Sequence, residues 1–308
     1  MRVAFFGTPQ FALPALQRIH REHQVVLVVA QPDRPAGRGM RLQPPPVAAA
    51  ARELGLPLEQ PGKLRGNSAF REALAQSGAE VAVTAAYGNI LPQALLDVPE
   101  HGFLNVHGSL LPHYRGAAPI QWALIDGREE TGVSIMRTEA GLDTGPVCHV
   151  LRTPIGPDER SSDLFARLAV LGAQAISEAL GLLERGELEC RAQDDSQATL
   201  APLLRKEDGD VDWTGGARAI YDRFRGVAAW PGTRLRHAGK EVRVLDMRPA
   251  PQGTGEAGTV LAVGPAGVTV AAGEGAVLLE RVQPPGKRPM NAFDWANGYG
   301  IRKGDRLA

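Results

Sequence analysis

The sequence predicts an α/β fold, a doubly wound and mainly parallel sheet, followed by a small antiparallel β-barrel. Three observations predict it. The chain has 308 residues, more than the ~100–200 of an ordinary domain. Its first part alternates short apolar runs with helical patterns, as a parallel sheet covered on both faces requires. Its last part repeats short strand patterns at about ten-residue spacing with glycine turns, which is typical of a barrel.

Strand and helix patterns alternate through the first part of the chain. Strands are predicted over residues 2–6, 24–30, 80–86 and 103–107, and helices over 46–54 and 67–76. A long amphipathic helix starts at Ser161, in a cluster of good N-cap residues, and ends at Gly186. This helix closes the first domain.

The domain boundaries follow from a change in the secondary-structure pattern of the sequence after that helix. We predict a first, catalytic domain over residues 1–188 and a polar, weakly patterned linker over 189–205. A second domain over 206–308 would hold the barrel, whose strands are predicted at 233–235, 241–246, 258–263, 267–271 and 276–281.

Composition excludes several classes of protein. Hydrophobic residues make up 44% of the chain and charged residues 22%, enough apolar surface for a sizeable core and too much for a disordered chain. The longest apolar runs fall well short of the ~20 residues that a membrane helix needs. Cys148 and Cys190 form no CxxC motif, so we expect two small apolar side chains, neither a disulfide nor a zinc site, in a reducing cytoplasm.

Charge is unevenly distributed along a chain that is neutral overall. Residues 1–200 hold 18 basic and 22 acidic side chains, whereas residues 201–308 hold 16 and 12. A polyanionic partner would therefore be attracted to the C-terminal part.

Asn105, His107 and Asp143 are the candidate catalytic residues. Asn105 and His107 alternate at the end of a predicted strand, where open parallel sheets place their sites. Asn donates from its amide, His moves protons near neutral pH, and Asp143 lies in a glycine-flanked turn from which it could orient the histidine. On spacing alone, such positions are more often a hydrogen-bonded pair and a turn residue, so both interpretations stay open.

A basic loop follows the second strand. Arg34, Arg38 and Arg41 stand among glycines and prolines, with little apolar content to anchor the loop. It is either a phosphate-binding loop or simply a solvated one. The turn Gly7-Thr8-Pro9 contains no GxGxxG or Gly-Lys-Ser/Thr motif, so a nucleotide cofactor is not expected.

Several longer motifs carry a resemblance to a known family. The run from Asn105 to Gln121, NVHGSLLPHYRGAAPIQ, together with Gly141-Leu142-Asp143-Thr144-Gly145, resembles the formyltransferases that use 10-formyltetrahydrofolate. The motifs FGTPQFA, QPDRPAGRG, AYG and QPPGKRPM are similar to the branch acting on methionyl-tRNA. The resemblance covers nearly the whole chain.

The resemblance implies a Rossmann-like formyltransferase domain and an OB-like tRNA-binding domain. The implied reaction moves the formyl group of 10-formyltetrahydrofolate to the free amino group of methionyl-initiator-tRNA, for translation initiation, without a metal. Asn105, His107 and Asp143 match the catalytic trio, and Arg38 matches a position that engages the tRNA acceptor end. The positions implied for the folate site are Tyr87, Gly88, Ser109, Leu110, Leu111 and Pro112.

Charge and the resemblance together give the expected tRNA contacts. Phosphate groups would attract exposed basic side chains of the loop and of the second domain. The candidates are Arg34, Arg38, Arg41, Arg234, Arg236, Lys287 and Arg288. We expect a cytoplasmic monomer with no membrane partner.

Two other functions are compatible with the same motifs. The enzyme could formylate a small amine, such as a phosphorylated glycinamide or an amino sugar, although the length and the basic loop argue against it. Alternatively, the chain could be an RNA-binding protein on an inactive α/β scaffold. The amine acceptor that the enzyme prefers distinguishes the first alternative from formylation of methionyl-tRNA. Unchanged turnover after substitution of His107 or Asp143 would favour the second.

Overall fold

The computed structural model describes residues 1–36, 41–250 and 253–308, which divide into two compact units. The first unit consists of Met1–Pro119, Glu130–Pro154 and Leu164–Pro202. The second consists of Ile120–Glu129, Ile155–Asp163 and Leu203–Ala308. Two short stretches from within the range predicted as the first domain therefore pack in the second unit.

A seven-stranded sheet forms the centre of the first unit, in the order β5-β2-β1-β6-β7-β8-β9. The strands from β5 to β7 run parallel, and β8 and β9 are added antiparallel at one edge. A separate hairpin pairs β3 with β4. The strands are β1 (Arg2–Gly7), β2 (Gln24–Val29), β3 (Arg34–Ala36), β4 (Arg41–Gln43), β5 (Leu58–Glu59), β6 (Val81–Ala85), β7 (Phe103–His107), β8 (Glu130–Arg137) and β9 (Val147–Pro154).

The central strands are buried on both faces. All five residues of β6 are buried, and Phe6 of β1 packs among Leu27, Phe70 and Phe103 in one core cluster. This accounts for the continuous apolar runs in the sequence, because strands covered by helices on both sides need no polar face. The helices are α1 (Leu13–Glu22), α2 (Pro46–Glu53), α3 (Ser68–Gln76), α4 (Gln93–Leu96), α5 (Pro119–Ile125) and α6 (Ser161–Glu184).

Helix α6 is long and apolar enough to cross a membrane by length and composition, the one such helix in the described ranges. Its apolar residues include Leu164, Leu168, Ile176 and Leu180, which are all fully buried. A core helix has the same composition, so burial accounts for the apolar character of α6.

The second unit is built on a six-stranded antiparallel sheet, in the order β10-β11-β14-β13-β12, with β15 paired to β14. Trp295 and Val268 are fully buried in its core. The Asn291 side chain caps the last helix, and Gly300 ends it in the left-handed conformation. The elements are α7 (Ala217–Gly226), β10 (Thr233–His237), β11 (Lys240–Ala250), β12 (Val260–Gly264), β13 (Gly267–Ala271), β14 (Ala276–Gln283), β15 (Met290–Asn291) and α8 (Ala292–Tyr299).

The predicted fold class, an α/β sheet domain followed by an antiparallel β domain, is confirmed. The basic segment predicted as a loop forms the β3–β4 hairpin in its described part. Residues 37–40, which include Arg38, lie outside the described residues.

Candidate active site

Asn105 and His107 lie on one face of β7, at its carboxyl end. The strand register pairs Asn105 with Thr84 of β6, and His107 with Ser134 of β8. The Thr84 hydroxyl donates a hydrogen bond to Asn105 Oδ1 at 2.7 Å. Because the carbonyl oxygen of the amide accepts from Thr84, the two hydrogens on Asn105 Nδ2 are available to a substrate oxygen.

His107 is buried and has different neighbours at its two ring nitrogens. Nε2 lies 2.9 Å from the Tyr114 carbonyl oxygen, which can only accept, so Nε2 carries a hydrogen. Nδ1 lies 3.6 Å from Asp143 Oδ2, too far for a direct hydrogen bond but close enough for an ion pair. Nδ1 is therefore the nitrogen that faces the carboxylate.

Asp143 is held in a tight turn by its neighbours. Its φ of 53° lies in the left-handed region, which a short polar side chain tolerates better than a bulky one. Oδ2 accepts a hydrogen bond from the Gly116 backbone N–H at 2.9 Å. Gly116 must be glycine, because a Cβ there would lie 2.6 Å from the Ala201 carbonyl oxygen. The turn thus fixes the carboxylate that faces His107.

Gln193 also holds the turn that contains Asp143, through hydrogen bonds to its backbone. Its side-chain amide donates to the carbonyl oxygens of Asp143 at 2.9 Å and Gly145 at 2.7 Å. Its oxygen accepts two hydrogen bonds from Arg115, which is only 7% exposed. Arg115 also pairs with Asp195 at 2.7 Å. We call Arg115, Gln193 and Asp195 the turn clamp.

Sequence reasoning missed the turn clamp because 189–205 was predicted as a linker. In the structure this segment is bonded to the active-site loop: Arg115 N donates to the Thr199 carbonyl, and Ala201 N donates to the Arg115 carbonyl. The signal in the sequence was the unbroken polar run Gln193-Asp194-Asp195 after a helix, which spacing alone does not connect to Asp143.

The segment Ser109–Pro112 is anchored by a residue that the sequence did not single out. The buried Ser134 hydroxyl donates to the Ser109 carbonyl at 2.7 Å and accepts from Leu111 N at 3.1 Å. Ser109 is itself fully buried, and its hydroxyl donates to the His113 carbonyl. Leu110, Leu111 and Pro112 remain partly exposed.

Tyr87 and Gly88 differ in what they can offer a ligand. The Tyr87 ring packs edge-on against Phe6, and burial raises the pKa of its phenol. Its carbonyl already accepts from Thr8 Oγ1 and Gln31 Nε2. Gly88 is exposed, with a φ of 85° and open space where a side chain would stand. Of these two predicted folate residues, Gly88 has the accessible backbone.

Two arginines of the basic hairpin, Arg34 and Arg41, face solvent. Arg34 and Arg41 are exposed, and neither has an ion-pair partner in the described part of the chain. Asp33, just before β3, is held by Arg52 and by Gln60, whose amide donates to it at 2.7 Å. The base of the hairpin is thus anchored while its arginines stay available.

The predicted basic residues of the second unit fall into two groups. Arg234 is 8% exposed and bonds to Asp210, and the positive charge of Arg234 with that hydrogen bond lowers the pKa of Asp210. Its guanidinium is therefore largely committed within the protein. Arg236, Lys287 and Arg288 are exposed, and within residues 203–250 and 253–308 none of them pairs with an acidic side chain.

Comparison with protein-family models gives two matches. Residues 1–180 match the formyl transferase model, and residues 203–300 match the model of the formyl transferase C-terminal domain. The chain belongs to the formyl transferase family. The first match contains Asn105, His107 and Asp143, whereas the turn-clamp residues Gln193 and Asp195 lie beyond its end.

Full-length relatives of this formyl transferase carry one name. The chain is 54% identical over 306 residues to the methionyl-tRNA formyltransferase of Deinococcus radiodurans, covering 99% of this chain and 95% of that one. It is 53% identical over 307 residues to that of Thermus thermophilus, covering 100% and 99%.

Solved structures share the fold at low sequence identity. An N-formyltransferase from Helicobacter canadensis, in complex with folinic acid and dTDP-3-aminofucose, has a TM-score of 0.70 at 12% identity, covering 92% of this chain and 99% of that one. HypX from Aquifex aeolicus in complex with tetrahydrofolic acid has a TM-score of 0.62 at 18% identity, covering 97% and 47%.

The cysteine prediction for this formyl transferase was wrong. Cys148 and Cys190 form a disulfide, with sulfur atoms 2.11 Å apart. The physical reason is a short antiparallel bridge, in which Val147 and Arg191 exchange two backbone hydrogen bonds of 2.9 Å and bring the neighbouring cysteines opposite each other. A separation of 42 residues concealed this pairing. Among the described residues, no three His, Cys, Asp or Glu side chains cluster as metal ligands would.

Proposed function

We propose that this formyl transferase moves the formyl group of 10-formyltetrahydrofolate to the free amino group of methionyl-initiator-tRNA, in the cytoplasm and as a monomer. The observation that carries the proposal is full-length identity of 53–54% to proteins named methionyl-tRNA formyltransferase. The site geometry supports it independently, because a buried histidine, a fixed carboxylate and a free amide donor meet the needs of acyl transfer.

Asn105 is the proposed donor to the developing oxyanion. When the methionyl nitrogen attacks the formyl carbon, the formyl oxygen gains negative charge. Thr84 occupies Asn105 Oδ1, so Nδ2 donates to that oxygen. A donor aimed at the charge of the transition state typically contributes ~10²–10³ in rate.

His107 and Asp143 are the proposed proton-handling pair. The attacking amine must lose one proton, and the leaving N10 nitrogen of the folate must gain one, while a carbon–nitrogen bond forms and another breaks. Asp143, with Oδ2 held by Gly116 N, accepts the amine proton directly or through water and passes it to N10 as the bond between N10 and the formyl carbon breaks. When His107 is protonated, its Nε2–H stays bonded to the Tyr114 carbonyl, and its Nδ1–H, on the side of the Asp143 carboxylate, donates to the reacting oxygen.

The residues proposed for the folate substrate fit its chemistry. Leu110, Leu111 and Pro112 offer partly exposed apolar surface beside the catalytic strand, and Gly88 offers open backbone for a pterin ring. Ile90, two residues on, is 94% exposed, which is unusual for an isoleucine and suits a surface that a ring would cover. Tyr87 would contribute through its place in the turn, and Ser109 through its hold on the segment.

The proposed tRNA contacts are the exposed basic side chains. Arg34 and Arg41 of the hairpin, with Arg38 between them, would engage the acceptor end, and Arg236, Lys287 and Arg288 would contact phosphates. We assign Arg234 instead to supporting this surface, since it is bonded to Asp210.

The proposal is tested by acceptor choice. Purified protein with 10-formyltetrahydrofolate is offered methionyl-tRNA, the same tRNA without amino acid, and a nucleotide-linked amino sugar. Formyl-methionyl-tRNA should be the product, and the Asp143→Asn variant should form it far more slowly. Formylation of the sugar with none of the methionyl-tRNA would replace this function by that of a small-amine formyltransferase.

A further inference from the structure

Trp230 is an unusually exposed aromatic residue of the second unit. Its relative exposure is 53%, whereas Trp213 and Trp295 of the same unit are at most 6% exposed. A tryptophan is normally among the most buried side chains on average. An exposed one beside charged groups indicates a surface on which something else packs.

Trp230 lines a cavity of about 270 Å³, together with Pro231 and Arg243. The chain turns at Gly232, which has a φ of 79°, and enters β10 at Thr233. A Cβ on Gly232 would lie 3.5 Å from Arg243 Nη2, so the guanidinium lies against this turn, in the lining of the same cavity as the tryptophan. The cavity therefore combines a flat aromatic ring, a proline ring and basic side chains, and the Glu241 carboxylate also lies in its lining.

Arg243 is the cation of this cavity that is free to bind. Arg234, across the strand pair from Arg243, is bonded to Asp210, and Lys206 lies 3.8 Å from Glu241. Arg243 is exposed and has no ion pair within residues 203–250 and 253–308. A planar guanidinium in this state can accept a phosphate in bidentate fashion.

We propose that this cavity, the Trp230 pocket, holds one unpaired nucleotide of the RNA substrate, with its base stacked on Trp230 and its phosphate bound by Arg243. The volume is slightly below that of ordinary ligand pockets, which fits a single nucleotide rather than a larger group. Base stacking on an aromatic ring with a neighbouring cation is the general way in which proteins hold single-stranded nucleic acid. This inference rests on the proposed function.

The kinetic test uses four variants. Trp230→Leu keeps apolar volume without a stacking face and should raise KM for methionyl-tRNA about 10-fold, while KM for the folate substrate stays unchanged. Trp230→Phe keeps a ring and should recover most of the loss. Arg243→Ala should raise KM for the RNA by a similar factor. Arg302→Ala removes another exposed arginine of the same unit that does not line the cavity, and it is the charge-matched control.

A binding measurement tests the stacking itself. A short single-stranded RNA is titrated into wild-type protein and into Trp230→Phe, and tryptophan fluorescence is recorded. Wild-type fluorescence should be quenched, and the quenching should be mostly lost in the variant. Blunt duplex RNA and inorganic polyphosphate should quench little, because neither offers an unstacked base. Equal quenching by polyphosphate would overturn the stacking claim and leave only charge attraction.

Different results would contradict the proposed function and the Trp230 pocket. If wild-type protein formylates no methionyl-tRNA, the proposed function fails whatever the variants do. If wild-type protein formylates it and Trp230→Leu has the same KM and fluorescence response as wild type, the pocket inference fails alone. Circular dichroism of each variant shows whether a loss of binding comes from unfolding.

Discussion

The candidate active site of the first unit and the basic surface of the second differ in how firmly their side chains are held. At the end of β7, each candidate side chain has a neighbour that fixes its direction: Thr84 for Asn105, Tyr114 for His107 and Gly116 for Asp143. On the basic surface, the residues proposed to bind RNA are those without such neighbours, and the fixed ones are structural.

Arginines of the second unit illustrate this difference. Arg225 is 1% exposed and pairs with the buried Asp222, and Arg234 pairs with Asp210, whereas Arg236 is exposed without an acidic partner among residues 203–250 and 253–308. Preorganised catalytic groups must be immobile, while phosphate-binding groups must be uncommitted. A side chain that is held by its neighbours is therefore a candidate for catalysis in the first unit. On the basic surface of the second unit, the same feature argues against a role in binding RNA.

The largest effect is expected from the fixed catalytic groups. Asp143→Asn and His107→Gln should each lower kcat by about 10²–10⁴, because proton transfer loses its acceptor or its partner. Steady-state formylation of methionyl-tRNA measures this. Asp97→Asn, an exposed aspartate that bonds only to Gln93 among the described residues, is the control and should match wild type. A fall in kcat of less than about 3-fold would contradict the assignment of His107 and Asp143 as the proton-handling pair.

A smaller effect is expected from the turn clamp. Gln193→Glu keeps an acceptor for Arg115 but cannot donate to the Asp143 and Gly145 carbonyls, so the turn should shift and kcat should fall about 10- to 100-fold. KM for either substrate should change little. Gln197→Ala removes an exposed glutamine that bonds only to Asp194, and it should leave kcat unchanged. Equal kcat in wild type and Gln193→Glu would show that the turn holds Asp143 without Gln193.

Substitution by alanine should affect protein stability at Arg234 and RNA binding at Arg236. Arg234→Ala removes a buried side chain together with its hydrogen bonds to Asp210 and to the Lys206 carbonyl, and should lower the free energy of unfolding by about 1–3 kcal/mol. Arg236→Ala should change stability by less than about 0.5 kcal/mol. It should instead raise KM for methionyl-tRNA and reduce the salt dependence of that KM. Denaturant titration and kinetics at two salt concentrations separate the two; a shared pattern would remove the distinction.

The smallest effect concerns pH and Asp210. Hydrogen bonding and charge from Arg234 lower the pKa of Asp210 in the folded state, so the stabilising contribution is present at neutral pH and is lost as the pH falls through that lowered pKa. Asp210→Asn should reduce stability at pH 7 by less than about 1 kcal/mol, because the pair is partly exposed. The difference in Tm between variant and wild type should disappear at strongly acidic pH. A difference that grows on acidification would reverse the sign.

Much of the fold could be predicted because its signals are local. Strands β1, β2, β6 and β7 are buried on both faces and appear in the sequence as continuous apolar runs, so their positions agree with the prediction within two residues. The β3–β4 hairpin was not predicted, since its pairing is made by exposed residues with no alternation to mark it.

The site was only partly predictable for a related reason. His107 and Asp143 carry their signal in residue type and motif, and the structure brings them within 3.6 Å. Gln193 and Ser134 act on backbone groups of distant segments, and Cys148 meets Cys190 through a two-residue bridge. Contacts of this kind depend on tertiary placement and leave no periodic pattern in the chain. The same holds for Arg234, whose partner is set by the fold.

The most direct measurement of the central claim is a double-mutant cycle on His107 and Asp143. If the two side chains handle one proton as a unit, the His107→Gln/Asp143→Asn double variant should form formyl-methionyl-tRNA about as slowly as the slower single variant. Single losses that multiply in the double variant would show two independent groups, and would contradict the account of the site.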